Sequence, residues 1–213
     1  GIHMPERMLT ESEGYDLLHA CGIPVPPHQV VTSAGDARAA AGMIGYPVVM
    51  KVISPEIVHK SDVGGVITGI EGPDNVDAAY HTIMRNAALH APEAEITGVI
   101  VEKQMPGGLE VLVGGKTDPS FGKVITFGLG GKLVELLQDV AIRVLPVTED
   151  DIRAMVREIE GYRLIRGYRG EPPKDEEALV RVIGKMARRF AEDPGIREFD
   201  LKPAIVYKEG ASV

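Results

Sequence analysis

The chain has 213 residues, 44% of them hydrophobic and 25% charged, and a formal net charge of −8 at pH 7, a composition that supports a folded core and excludes a general nucleic-acid binder, which needs a basic surface. Cys21 is the only cysteine, which rules out a disulfide framework and a cysteine-rich zinc site and fits a reducing cytoplasm. No apolar run approaches the roughly 20 residues needed to cross a bilayer, so no membrane association is expected.

Gly1 to Met4 reads as a tag remnant, and His3 is therefore left out of any site. Thr10 with Glu13 makes a capping box for a short helix whose apolar side carries Tyr15, Leu17, Leu18 and Cys21, and Gly22 ends it. A proline-rich turn leads to a strand over 28–31, and Ser33 caps an alanine-rich helix that stops near Gly45. The apolar run 47–53 predicts a buried strand interrupted by Lys51. A strand over 66–70, a helix over 75–89 and a strand over 97–101 follow.

In the second half, strands are expected over 109–113, 123–127 and 140–145, then helices at about 149–159 and 174–190. The last helix has acidic residues Asp175 to Glu177 at its start and Arg188 and Arg189 at its end, in keeping with the helix dipole. A strand over 199–207 and a turn at Lys208-Glu209-Gly210 close the chain, with a second hairpin arm barely begun at Val213. The fold class is α+β. Two lobes are expected, 9–105 and 106–213, divided at the turn Met105-Pro106-Gly107-Gly108.

Candidate chemistry gathers at a few places. An ammonium inside an apolar strand needs water or an anion, so Lys51 is either a lysine reaching solvent or a phosphate contact. The segment His59 to Gly65 follows, and its paired glycines Gly64 and Gly65 would let backbone N–H groups approach phosphate oxygens. It is neither a Walker loop nor a GxGxxG fingerprint. A neutral imidazole makes His59 a candidate nucleophile towards phosphorus. Glu102 and Glu110 flank the proposed lobe junction and could accept bonds from a ribose or an exocyclic amine. A second glycine cluster, Gly128 to Gly131, precedes Glu135, Asp139 and Arg143, read as acidic groups for Mg²⁺ and a phosphate clamp. Each of these taken singly has a plainer reading as a turn, a strand-end charge or a charged surface.

Taken in order, Gly45-Tyr46-Pro47-Val48-Val49-Met50-Lys51, His59 to Val66, Val101 to Met105, Gly108 to Val111 and Phe127 to Gly131 resemble the ATP-grasp domain of ADP-forming acetyl-CoA synthetases, related to the β subunit of succinyl-CoA synthetase. The resemblance runs from about Leu9 to Val213. It implies an ATP-grasp fold with ADP or ATP between two lobes, Lys51 on the phosphates, Glu102 and the backbone of Lys103 to Met105 at the adenine, and Glu110 at the ribose. It also implies a relay in which CoA chemistry occurs on an α subunit or fused domain of a hetero-oligomer, a phosphohistidine there carries the phosphoryl group, and His59 is transiently phosphorylated here. Mg²⁺ would assist, with Asp200 as a ligand.

One departure concerns the metal. The family's terminal strand reads Asp-x-Asn-Pro, whereas this chain has Asp200-Leu201-Lys202-Pro203, and a protonated lysine cannot ligate a cation. A further metal-binding Asp of the family lies on a strand beyond Val213. The expectation is a chain, excised from or acting beside a longer partner, that binds nucleotide and transfers phosphoryl groups poorly. The competing function is a non-catalytic nucleotide-binding or assembly module of the same fold.

Overall fold

A computed structural model describes residues 1–130 and 136–213, including every side chain among them but those of Lys202 and Pro203. In chain order come β1 (Ile2–His3), α1 (Glu11–Ala20), β2 (His28–Val31), α2 (Ala34–Ile44), β3 (Val48–Ile53), β4 (Val66–Ile70), α3 (Pro73–His90), β5 (Gly98–Lys103), β6 (Leu109–Asp118) and β7 (Gly122–Leu129). Then follow β8 (Val140–Val144), α4 (Glu149–Glu158), α5 (Tyr162–Arg166), α6 (Glu176–Glu192), β9 (Glu198–Val206) and β10 (Ala211–Ser212). They belong to two units, one of Thr10–Glu13 and Pro26–Pro106, the other of Gly1–Leu9, Gly14–Val25 and Gly107–Val213.

The first of these units is built on a four-stranded antiparallel sheet in the order β2-β5-β3-β4. Alternation along β3 turns Val48, Met50 and Val52 to one face, where they meet Val99 and Val101 of β5, Ala37, Ala40 and Ala41 of α2, and Val76, Ala79, Ile83 and Ala87 of α3. Each large aliphatic side chain closed off in this way contributes about 1.5–3 kcal/mol. The ends of α2 match the sequence: Ser33 Oγ accepts from the Asp36 N–H at 3.1 Å, and Gly45, at φ +94°, ends the helix. The strand expected over 97–101 runs on to Lys103, because Lys103 pairs with Val48 and its N–H donates to Pro27 O.

The other unit is built on an antiparallel sheet in the order β1-β9-β6-β7-β8, with β10 also paired to β9. One face is packed by α6, whose Phe190 meets the Phe199 ring edge to face at 5.1 Å. Gly115 leaves the space these rings fill, since a Cβ there would strike both. Asp175 caps α6 through the Ala178 N–H at 3.1 Å and also accepts from the Gly210 N–H at 2.8 Å, tying the helix start to the β9–β10 turn.

Two expectations need correction. The strand expected over 109–113 continues to Asp118, because Gly114 and Gly115 keep pairing with both β7 and β9. A lobe of 9–105 does not hold as one piece, since Gly14–Val25 belongs to the other unit. There Lys185 of α6 donates to Gly22 O at 2.8 Å and the Val213 N–H to Pro24 O at 3.1 Å. At the start of the chain Ile2 is buried, and β1 pairs with Phe199 and Glu198. No helix among the described residues is long and apolar enough to cross a membrane.

Candidate functional site

Because Met50 and Val52 turn to the helix-covered face, Lys51 turns to the other. The register pairs Lys51 with Ile100 and Val49 with Glu102, so Lys51 and Glu102 are diagonal neighbours on adjacent strands. Lys51 Nζ lies 2.5 Å from Glu102 Oε1 and 2.9 Å from Glu11 Oε1, and the second oxygen of Glu11 is 3.3 Å from Lys60 Nζ. The side chain of Glu102 is 6% exposed, those of Lys51 and Glu11 15%, and that of Lys60 20%, so solvent screens these charges weakly.

Burial alone would lower the Lys51 pKa, but the Glu11 and Glu102 carboxylates reverse this and hold it above the ordinary 10.5. Burial alone would raise Glu11, and Lys51 and Lys60 hold it instead below the ordinary 4.5. Both groups are charged at neutral pH. The bland reading of Lys51, a lysine reaching solvent, is thereby excluded: its ammonium is held by two carboxylates. Glu102, read as an adenine contact, here has its carboxylate on Lys51.

His59 is exposed and begins the single turn of 3₁₀ helix Lys60–Val63. The expectation that Gly64 and Gly65 free their N–H groups for phosphate is not met. The Gly64 N–H donates to Ser61 O at 3.1 Å and the Gly65 N–H to Lys60 O at 2.8 Å, which closes the turn. The glycines serve packing: Gly64 sits at φ +69° against Asn86, whose Nδ2 donates to Gly64 O at 2.9 Å, and a Cβ on Gly65 would strike Val52. Their effect is to fix His59 and Lys60 beside β3. At the end of β5, Lys103 Nζ donates to Gly45 O at 3.0 Å and to Tyr46 O at 2.9 Å, while Met105 is exposed just past the strand.

In the other unit Glu110 is exposed on β6. Gly130 donates its N–H to Glu110 O at 2.9 Å, and a Cβ there would meet Glu110 Cγ at 2.6 Å, so this glycine makes room for the Glu110 side chain. Gly131 and Glu135 lie outside the described residues. Asp139 is not placed as a metal ligand: its two oxygens accept from the Glu160 and Gly161 N–H groups at 2.8 and 2.7 Å, just before α5, a helix the sequence did not announce. Arg143 is not a free clamp either, being paired with Glu158 at 3.0 Å.

Asp200, on β9, stands opposite Gly114, and its Oδ1 is buried with no hydrogen-bond partner among the described residues. An orphaned carboxylate oxygen is a hard donor of the kind Mg²⁺ takes, and Mg²⁺ on a nucleotide needs only one or two carboxylates besides phosphates and water. The residues present therefore fit the ion through Asp200, although no group of three or more His, Cys, Asp or Glu side chains is assembled for a metal among the described residues. The sequence missed Glu11 and named Lys60 only as part of the segment His59 to Gly65. The capping box placed Glu11 in the first turn of α1, but no local spacing says that it meets Lys51, 40 residues away.

The sequence profile of the ATP-grasp domain matches residues 2–213. The β subunit of acetate–CoA ligase (ADP-forming) I from Pyrococcus furiosus is 44% identical over 96% of this chain and 88% of its own length. The chain belongs to the ATP-grasp family of ADP-forming acetate–CoA ligases. Acetate–CoA ligase (ADP-forming) I of Archaeoglobus fulgidus is 43% identical over 95% of this chain, a match that takes up 29% of that longer polypeptide. The solved dinucleotide-forming acetyl-coenzyme A synthetase 1 of Candidatus Korarchaeum cryptofilum, with coenzyme A and Ca-AMPCP, is 40% identical over 96% of this chain and 90% of its own, with a TM-score of 0.93. The same synthetase with Mg-AMPPCP, its phosphohistidine segment pointing towards the nucleotide binding site, is 36% identical over 97% and 89%, with a TM-score of 0.83. Family membership accounts for the ordered series that begins at Gly45 and ends at Gly131, and it bears out the α+β ATP-grasp architecture expected from it.

Proposed function

We propose that the chain is the nucleotide-handling β component of an ADP-forming acyl-CoA ligase, moving a phosphoryl group between a phosphohistidine and ADP. The observation that carries this reading is the partly buried Lys51, held by carboxylates and set beside the turn that presents an exposed His59. The overall reaction is acyl-CoA with ADP and phosphate giving the carboxylate, ATP and CoA. CoA chemistry falls to an α partner or fused domain, as the separate and fused relatives suggest.

In the half-reaction assigned here, the imidazole of His59 takes the phosphoryl group from the partner's phosphohistidine, one N–P bond forming as another breaks. An oxygen of the β-phosphate of ADP then displaces the imidazole, a P–O bond replacing the N–P bond. Lys51 orients phosphate oxygens and offsets their charge, Glu102 with Lys103 to Met105 receives the adenine, and Glu110 the ribose. Asp200 would hold Mg²⁺, which would supply charge neutralisation at the phosphoryl oxygens. With one thiol and no disulfide to protect, a reducing cytoplasm suits the chain.

The test is a labelled-phosphate experiment. ATP carrying ³²P in its γ-position, with Mg²⁺, is expected to label the wild-type chain on histidine and to leave His59→Ala unlabelled, while calorimetry shows ADP bound by both. One feature favours a second reading, a nucleotide-binding module without turnover: Lys202 stands where the family has Asn. Nucleotide binding with no label would select that module, and no binding of ADP or ATP would overturn both.

A further inference from the structure

We infer that Glu11 is an internal anion that occupies the phosphate seat of the site and competes with the nucleotide for Lys51 and Lys60. The inference rests on the reading of Lys51 as a phosphate contact. One carboxylate of Glu11 spans two cations, with Oε1 2.9 Å from Lys51 Nζ and Oε2 3.3 Å from Lys60 Nζ. That is the arrangement a phosphoryl group makes with two lysines: one anionic centre, two oxygens, two ammonium donors.

Charge counting shows why the seat must be vacated. Lys51 and Lys60 bring two positive charges, and Glu11 and Glu102 two negative ones, all drawn together in a weakly hydrated cluster. The cluster sums to zero, so an arriving phosphate meets no net attraction until a carboxylate withdraws. Glu102 lies in β5, an inner strand paired on both sides, and is the most enclosed of the four. Glu11 is on the first turn of α1, outside the sheet. Glu11 is therefore the group that leaves, passing both lysines to the phosphate and returning when the product departs.

Lys60 thereby gains a role that its position next to His59 makes useful. Freed by Glu11, its ammonium stands one residue from the histidine that accepts the phosphoryl group. Glu11 itself is a positioning residue, since it acts by holding and releasing the two cations.

The inference is tested by calorimetric titration of ADP into the wild-type chain and into Glu11→Gln, Glu11→Asp, Lys60→Met and Lys51→Gln, each checked by its melting temperature. Glu11→Gln removes the competing charge and keeps the shape, and is expected to tighten ADP about tenfold, equivalent to about 1.4 kcal/mol. Glu11→Asp keeps the charge and is expected to restore most of the wild-type affinity. Loss of a purely structural contact would not tighten binding. Lys60→Met is expected to weaken ADP several-fold. Unchanged or weaker binding by Glu11→Gln, with Lys51→Gln weakened, would overturn the role of Glu11 alone. Unchanged binding by Lys51→Gln would overturn the phosphate reading beneath it; the amide still donates to Glu102, so this variant is expected to fold.

Discussion

Lys51 Nζ and Glu102 Oε1 lie 2.5 Å apart across the two inner strands of a four-stranded sheet, with the Glu102 side chain only 6% exposed. A buried ion pair adds little over a well-packed apolar pair, yet removing one partner leaves the other charged and desolvated. Lys51→Met is therefore expected to cost about 3 kcal/mol of stability, read as a lower urea midpoint. Lys51→Met paired with Glu102→Leu should recover most of that loss. An undiminished loss in the double variant would show that the charges are not what the substitution disturbs.

Acid should act on the same cluster from its other end. Glu11 is held below its ordinary value of 4.5, so the stability it contributes is present above pH 4.5 and is lost as pH falls through its folded value. Lys51 is held above 10.5, so its contribution is present below pH 10.5 and is lost as pH rises through the folded value. The stability difference between wild type and Glu11→Gln should be flat between these limits and shrink below pH 4.5. A difference that stays constant into acid would contradict the shift.

Gly65 holds the His59 turn against β3 by having no side chain. A Cβ there would strike Val52 and stand 3.1 Å from Lys60 O. Gly65→Ala is expected to cost about 1–3 kcal/mol from overpacking. Gly42→Ala, inside α2 where a Cβ meets nothing within 4 Å, should be neutral or slightly stabilising. Equal midpoints for the two variants would sink this account of the turn.

These predictions also mark what could be read from the chain alone. The ends of α2 were legible because Ser33 and Gly45 act on their own backbone neighbours, and β3 because its apolar run is local. Lys51 drew notice as a cation among apolar residues, and the family resemblance, borne out over residues 2–213, supplied the architecture. What failed was tertiary or disguised. Glu11 meets Lys51 across 40 positions, Asp139 is spoken for by a short helix with no signal of its own, and Gly114-Gly115 hid the continuation of β6. The glycine pair at Gly64 and Gly65 was legible as a turn, but the sequence does not show that the turn itself takes up both N–H groups.

Asp175 joins two parts of its unit through one side chain, accepting from Ala178 in α6 and from Gly210 in the β9–β10 turn. The Gly210 and Ala178 N–H groups hold its carboxyl below the ordinary 3.8. Asp175→Ala should cost about 1–2 kcal/mol and lower the melting temperature by about 2–4 °C per kcal/mol. Asp175→Asn keeps an accepting oxygen at the cap and should lose well under half as much. Similar losses for both would assign the effect to charge rather than to capping.

Asp200 is the residue proposed to hold Mg²⁺. Its Oδ1 is buried without a partner among the described residues, a state that costs free energy in the folded chain and that a bound cation would relieve. Asp200→Asn should therefore leave the melting temperature of the nucleotide-free protein unchanged or raise it. A neutral amide is a poor ligand for Mg²⁺ beside a carboxylate, so the same variant should bind ADP without Mg²⁺ as the wild type does and lose the gain in affinity that Mg²⁺ gives. Calorimetric titration of ADP with and without Mg²⁺ separates these effects. If Mg²⁺ strengthens binding equally in both proteins, Asp200 does not hold the ion, and its buried oxygen is a structural cost with another cause.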